Sequence, residues 1–174
     1  AKRLRSDDAF TPGGKAGFRP DRATTVYAKI LKKLYPDVPV VIGGLESSLR
    51  RISHYDYWDD KLFPSILATT QADLLLYGMG EKPMKALLHL LKKGVPFSNM
   101  NSIPQTAYLA PKGRVPKNRD MQDLVLPSYE ECLKNKRTQF DAYRKTEIET
   151  NRIHARRILQ DTGEQTIVIN PPYP

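Results

Sequence analysis

The sequence predicts an α/β fold of the doubly wound class, built on a parallel sheet, with a helical extension at its C-terminal side. Three observations carry that expectation. VPVVI, residues 38–42, is a short and mostly β-branched run suited to a strand buried on both faces, and it ends in Gly43 and Gly44. ADLLLY, residues 72–77, repeats the arrangement and ends in Gly78-Met79-Gly80-Glu81. A helix-periodic segment follows each turn, so two crossover units are expected, with their glycine turns at one edge of the sheet.

The elements follow in order. Residues 1–20 combine Gly13, Gly14 and Gly17 with Pro12 and Pro20, which resist regular structure, and read as a loop. Asp21 is placed to cap a helix whose apolar residues Ala23, Val26, Tyr27, Ile30, Leu31 and Leu34 recur at three- and four-residue spacing until Pro36 ends it. Pro39 sets the start of the first strand, and residues 45–52 form the next helix. After the second glycine turn, Pro83 sits in a first helical turn, where its missing N–H is tolerated. Met84, Leu87, Leu88 and Leu91 give that helix an apolar face, and Gly94 closes it. Residues 103–109 add a strand. Ser128 with Glu131 matches a capping box that opens a charged helix through Phe140 and Tyr143. Thr150 or Asn151 then caps a second helical segment carrying Ile153, Ile158 and Leu159, which stops at Gly163 before a strand over 166–170. The closing NPPYP is extended, because consecutive prolines block a helix. The expected organisation is a partial α/β domain over 1–110, a basic linker over 111–127, and a helical extension with a strand over 128–174.

At 174 residues and 40% hydrophobic content the chain has enough material for one domain with a core. No apolar run is long enough to span a membrane, and AKRLRSDD lacks the apolar stretch of a signal peptide, so a cytoplasmic setting is expected. The opening at Ala1, without Met and inside a basic glycine-rich segment, reads as a fragment of something longer. The net charge of +9 gathers at Lys2, Arg3 and Arg5, at Lys112, Arg114, Lys117 and Arg119, and through Lys134, Lys136, Arg137, Arg144 and Lys145. Such a surface favours acidic partners: nucleic acid, a phosphorylated cofactor or another domain. No RNA-binding aromatic motif, zinc finger or helix-turn-helix pattern accompanies it.

Two stretches carry the candidate site. Gly43 and Gly44, with Glu46 behind them, either let backbone approach a ligand at a strand end or simply permit a tight turn. Gly78, Gly80 and Glu81 pose the same choice, with Glu81 favouring the positive end of the helix that follows. The second stretch is the aromatic edge His54, Tyr55, Asp56, Tyr57 and Trp58. His54 beside Asp56 suits acid–base work, or metal ligation with Asp59 or Asp60, but no second histidine lies nearby, and packing of the block on its own domain is the reading preferred. Arg50 and Arg51 are placed to hold the carboxylates in charge-assisted pairs. Cys132 stands alone, which excludes a disulfide framework and a cysteine metal cluster within the chain; no metal ligands are expected, and the thiol reads as incidental.

KRLRSDDAFTPGGKAGFRPDRAT, VIGGLESSLRRISHYDYWDD, ADLLLYGMGE and the closing VINPP together resemble the YgiQ-like family of radical S-adenosylmethionine proteins, in the portion that precedes the cluster-binding domain. The resemblance implies an α/β domain similar to the Rossmann-like cobalamin-binding domains of many radical enzymes, with a GG turn and a GEGE-like turn at corresponding strand ends, matched here by Gly43, Gly44, Gly78, Gly80 and Glu81. It implies an incomplete sheet, since such domains begin with strands that would precede Ala1. It also implies a [4Fe-4S] cluster and S-adenosylmethionine in a parent protein, and a radical SAM core of that parent as partner. The family's CxxxCxxC motif is missing here, so no cofactor is expected in this chain. Neither His54, His89 nor His154 has a glycine three residues on, so the DxHxxG pattern of cobalamin domains is absent and cobalamin is doubtful. The function expected is that of an accessory domain, not catalytic alone, with a glycine edge facing the catalytic domain or its substrate. A basic RNA- or polyanion-binding module is the alternative.

Overall fold

The computed structural model describes residues 7–117 and 122–174; Lys2, Arg3, Arg5 and Arg119 of the basic clusters lie outside them. The N-terminal loop, tied by a bridge between Asp7 and Lys15, leads into α1 (Ala23–Leu34). The chain continues through β1 (Val41–Ile42), α2 (Gly44–Leu49), a hairpin of β2 (His54–Asp56) and β3 (Lys61–Phe63), α3 (Ile66–Thr70), β4 (Leu74–Leu76) and α4 (Glu81–Lys92). Then come β5 (Thr106–Pro111), β6 (Asp123–Val125), α5 (Tyr129–Lys134), α6 (Lys136–Thr150), β7 (Arg157–Thr162) and β8 (Gln165–Ile169).

Six strands form one sheet in the order β1-β4-β5-β8-β7-β6, and β2 with β3 forms a separate hairpin. The α/β class holds, and β1 and β4 pair in parallel as the two glycine-turn units require, with Val41 opposite Leu74 and Ile42 opposite Leu75. The sheet as a whole is mixed. β6 and β7 also pair in parallel, whereas β4–β5, β5–β8 and β8–β7 are antiparallel. The reason lies in the connections. After α4 the chain returns across residues 94–105 to the edge where β4 ends, so β5 starts there and runs back. β7 and β8 are joined by a tight turn at Gly163 and Glu164, which permits only antiparallel pairing.

The two faces of the sheet are apolar in different company. On one, Ala28 of α1 and Ile66 and Leu67 of α3 pack with Ile42, Leu75, Ala107, Ile158, Ile167 and Ile169; on the other, Leu87 of α4 and Met100 pack with Leu74, Leu76, Tyr108 and Val168. Leu74–Leu76 thus serve both faces in alternation, which is why the run is continuously apolar.

Several expectations change. Ile158 and Leu159 belong to strand β7, not to a second helical segment; Gly163, with φ of 55°, makes the hairpin turn and not a helix end. The stretch expected as a linker, 111–127, ends in β6, and the stretch expected as a helical extension, 128–174, contributes two strands to the sheet that also holds β1 and β4. α2 is shorter than residues 45–52, because after Leu49 the chain turns to bury Ile52 and Ser53. The capping box at Ser128 and Glu131 forms as read.

Candidate functional site

The two glycine turns lie side by side at the C-terminal edge of the parallel pair. Gly43 is extended, and a Cβ on it would stand 3.3 Å from the Leu76 carbonyl oxygen, so its lack of a side chain lets the end of β1 approach the end of β4. Gly44 has φ of 80°, a left-handed value that turns the chain into α2. Across the gap, Gly78 donates its N–H to Ser48 Oγ at 3.1 Å, joining the second turn to α2. Gln105 closes the same edge from β5: its Nε2 donates to the carbonyls of Tyr77 (2.8 Å) and Met79 (2.6 Å). Its backbone N–H donates to Pro171 O at 2.8 Å. Asn170, at the end of β8, donates from Nδ2 to Asn101 O, Ile103 O and Thr106 Oγ1 and accepts the Tyr77 hydroxyl on its own carbonyl at 2.6 Å. Glycine turns and VINPP segment, far apart in sequence, therefore meet at one edge.

Glu46 and Glu81 do different things there. The carboxylate of Glu46 accepts the backbone N–H of Thr24 (2.9 Å) and Thr25 (3.3 Å), so it caps α1 from a neighbouring helix, while Arg50 pairs with it at 3.1 Å. Burial pushes its pKa up, but those N–H groups outweigh it and hold the carboxyl below its usual range. The cap expected from Asp21 is not the one used: Arg22 occupies the N-cap position without a side-chain bond to the helix. Glu81 sits in the first turn of α4, as read, and Gly80 is its N-cap. Leu45 and Met79, each directly after a glycine, stand 78% and 76% exposed, and Leu49 is 60% exposed. An edge with rigid backbone and bare apolar side chains results.

The aromatic edge forms the hairpin beside it. Asp56 is buried and accepts from Arg22 Nε (3.1 Å) and from the N–H groups of Trp58 (3.0 Å) and Asp59 (3.2 Å), with Arg50 at 3.6 Å. Arg22 also reaches Asp59 at 2.7 Å, so the residue preceding α1 ties the N-terminal loop to the hairpin. Of the pairs expected from Arg50 and Arg51, only Arg50 meets carboxylates; Arg51 lies over the Tyr77 ring and donates to Ser48 O. His54 packs inward on Phe63, with 6.2 Å between ring centres, and its Nδ1 faces Ile52 O at 3.2 Å. Tyr55 and Tyr57 correct the expectation of an inward clamp, since both point mainly to solvent; Tyr57 tilts against Trp58 at 5.1 Å, and Tyr55 donates its hydroxyl to Asp60.

Burial holds the His54 imidazole down to about 4 from an ordinary 6.5, with Arg50 and Arg22 nearby adding to the effect. A group whose folded pKa is depressed takes up its proton first in the unfolded chain, so stability is full above 6.5 and is lost as pH falls toward 4. Between pH 7.5 and pH 5 the loss from this residue is about 2 kcal/mol, and His54→Phe removes that part of the slope in urea denaturation followed across pH.

Cys132 is buried against Pro127 O at 3.9 Å and Gln160 Nε2 at 4.0 Å, and burial raises its thiol pKa. One enclosed thiol does not fit an iron–sulfur cluster, which takes several. Among the described residues no three His, Cys, Asp or Glu side chains gather to hold a metal, and no helix is long and apolar enough to cross a membrane.

Sequence comparison decides the family. The family model for the radical SAM N-terminal region matches residues 1–174. The chain belongs to the radical SAM N-terminal family. UPF0313 proteins of Porphyromonas gingivalis (54% identical over 173 residues, 99% of this chain), Bacteroides thetaiotaomicron (47% over 184 residues, 99%) and Geobacter sulfurreducens (44% over 175 residues, 100%) are similar to it. The chain spans 27%, 29% and 28% of the length of those curated relatives. No solved structure matches it at a significant level. Within this radical SAM N-terminal chain, sequence reading finds both glycine turns but misses Arg22, Ser48, Gln105 and Asn170, which fix the edge. Only Gln105 and Asn170 carried a signal: each is a polar residue abutting a buried apolar strand.

The glycine geometry gives a ranked expectation. Gly44→Val forces a β-branched residue to a left-handed φ and costs about 2 kcal/mol. Cys132→Ala removes one buried sulfur and costs about 1 kcal/mol. Thermal unfolding of the two variants beside the wild type reads the order.

Proposed function

We propose that the chain is a non-catalytic accessory domain of a longer radical S-adenosylmethionine protein, and that its glycine edge faces the catalytic core or the substrate held there. The observation that carries this reading is the edge itself: two glycine turns, Gln105 and Asn170 fix its backbone, while Leu45, Leu49 and Met79 stand bare upon it. Apolar side chains held on a rigid rim favour contact with another protein surface, and an accessory role needs no reactive group here. A [4Fe-4S] cluster and S-adenosylmethionine are assigned to the rest of the parent, where they would supply radical chemistry; this chain's residues have the positioning role.

Two measurements test it. Anaerobic reconstitution with iron and sulfide leaves this chain colourless and loads the parent, and a stable cluster on the chain alone refutes the accessory reading. In the parent, peptides 43–49 and 77–81 exchange hydrogen more slowly than in the double variant Leu45→Asp, Met79→Asp, whose iron content is unchanged. Equal, fast exchange in both proteins removes the docking role from this edge.

A further inference from the structure

We propose that the outer edge of β1 pairs with a further strand of the same polypeptide, one that precedes Ala1 and runs parallel to β1, and that this strand also covers the outer face of α1. The inference takes from the proposed function only that the chain is part of a longer protein, and it does not depend on what the glycine edge faces.

β1 is the last strand on its side of the sheet, and among the described residues nothing pairs with its outer edge. Leu74 donates its N–H to Val40 O, and a parallel ladder alternates sides, so Val40 and Ile42 bond toward β4 while the N–H and C=O of Val41 point away from it. Beside that edge α1 is unfinished. Tyr27, Ile30, Leu31 and Leu34 fall at i, i+3, i+4 and i+7, the spacing of one helix face, and stand 51%, 47%, 43% and 62% exposed. Only Ala28 of this helix is buried. A crossover helix lies above the two strands it connects, and α1 covers just one.

Handedness says where the other belongs. α3, in the connection from β1 to β4, packs on the same sheet face as α1. Parallel crossovers are right-handed in about 98% of cases. Two crossovers on one face, with strands running the same way, must therefore advance across the sheet in the same direction. β1 leads to β4, so a strand feeding α1 lies on the side of β1 away from β4. β1 and β4 are directly paired, which excludes a place between them, and β4 is taken on its other side by β5. The loop over 7–22 then connects that strand to α1 at the glycine edge, where Arg22 and Glu46 already hold the start of α1. The relatives, more than three times as long as this chain, have sequence to supply the strand.

The test uses the full-length parent. Residue-resolved hydrogen exchange should show the Val41 amide slowed at least about a hundredfold relative to an unprotected amide, comparable to Ile42; exchange at the unprotected rate overturns the proposal. A photoreactive benzoylphenylalanine in place of Leu34, irradiated in the intact parent, should cross-link to a peptide preceding Ala1. Cross-links to a peptide beyond Pro174, or to a second copy of the protein, overturn it, as does the absence of any cross-link, since Leu34 would then face solvent.

Discussion

Asp56→Ala is expected to lower stability by about 3 kcal/mol, because its carboxylate is a buried acceptor at the centre of a charge-assisted network. The oxygens of Asp56 serve Arg22, Arg50 and the N–H groups of Trp58 and Asp59. Alanine leaves the two N–H groups at the hairpin turn without an acceptor and removes one counter-charge from each arginine. The loss is not larger because Arg22 keeps Asp59 and Arg50 keeps Glu46. Asp56→Asn restores an acceptor without the charge and should recover roughly half. Asp60→Ala is the control: its carboxylate accepts from the exposed Tyr55 hydroxyl, and its removal costs about 0.5 kcal/mol or less. Urea denaturation of the three variants decides. If Asp56→Ala behaves like Asp60→Ala, the loop and hairpin are held by something other than this carboxylate. Acid should act in the same direction. Burial raises the Asp56 pKa, but the N–H groups and Arg22 outweigh it and leave it lowered, so its contribution is present above the ordinary carboxylate pKa and lost as pH falls through the depressed value.

What the sequence makes legible is local or forced by topology. VPVVI and ADLLLY read as strands because each is a short apolar run closed by glycine, and both form at the expected places, somewhat shortened. That their glycine turns share an edge follows once the strands are parallel, since parallel strands end on the same side. The partners across that edge are a different matter. Glu46 caps α1 from the next helix, 22 residues away from Thr24, while Asp21, placed at the local capping position, is passed over. No local rule selects a cap that arrives through tertiary packing. The same holds for the sheet's direction: Gln105, with φ of 62°, redirects the chain into β5 so that it returns antiparallel, and nothing in its neighbours announces a left-handed conformation. Tyr55 and Tyr57 were expected inside because aromatics usually bury, yet in this two-stranded hairpin one face has nothing above it.

Gln160 is where the helical reading of residues 153–159 fails most instructively, and it supports the other large prediction: Gln160→Ala should cost about 3 kcal/mol. Ile158 and Leu159 fit a helix as well as a strand, and a glutamine after them looks like a solvated position. In β7 alternation turns Gln160 into the core instead, where it is 1% exposed. Its Oε1 accepts the Ser53 N–H at 2.8 Å, and its Nε2 donates to Ser53 Oγ at 2.8 Å and to Pro127 O at 3.1 Å. Gln139 of α6 joins from the other side, donating to Ser53 O at 2.9 Å and accepting the Ser53 hydroxyl. One side chain therefore links the strand to the turn after α2 and, through Ser53, to α6. Alanine would leave the Ser53 N–H and the Pro127 carbonyl unsatisfied and open a cavity among them. Gln160→Leu separates the two causes, because it fills the volume and leaves the polar groups orphaned. Chemical denaturation should place Leu close to Ala; a leucine variant as stable as wild type would mean that packing alone matters here. Ser53→Ala should cost less than either, since it keeps the backbone N–H on the glutamine oxygen and gives up only the hydroxyl's bonds.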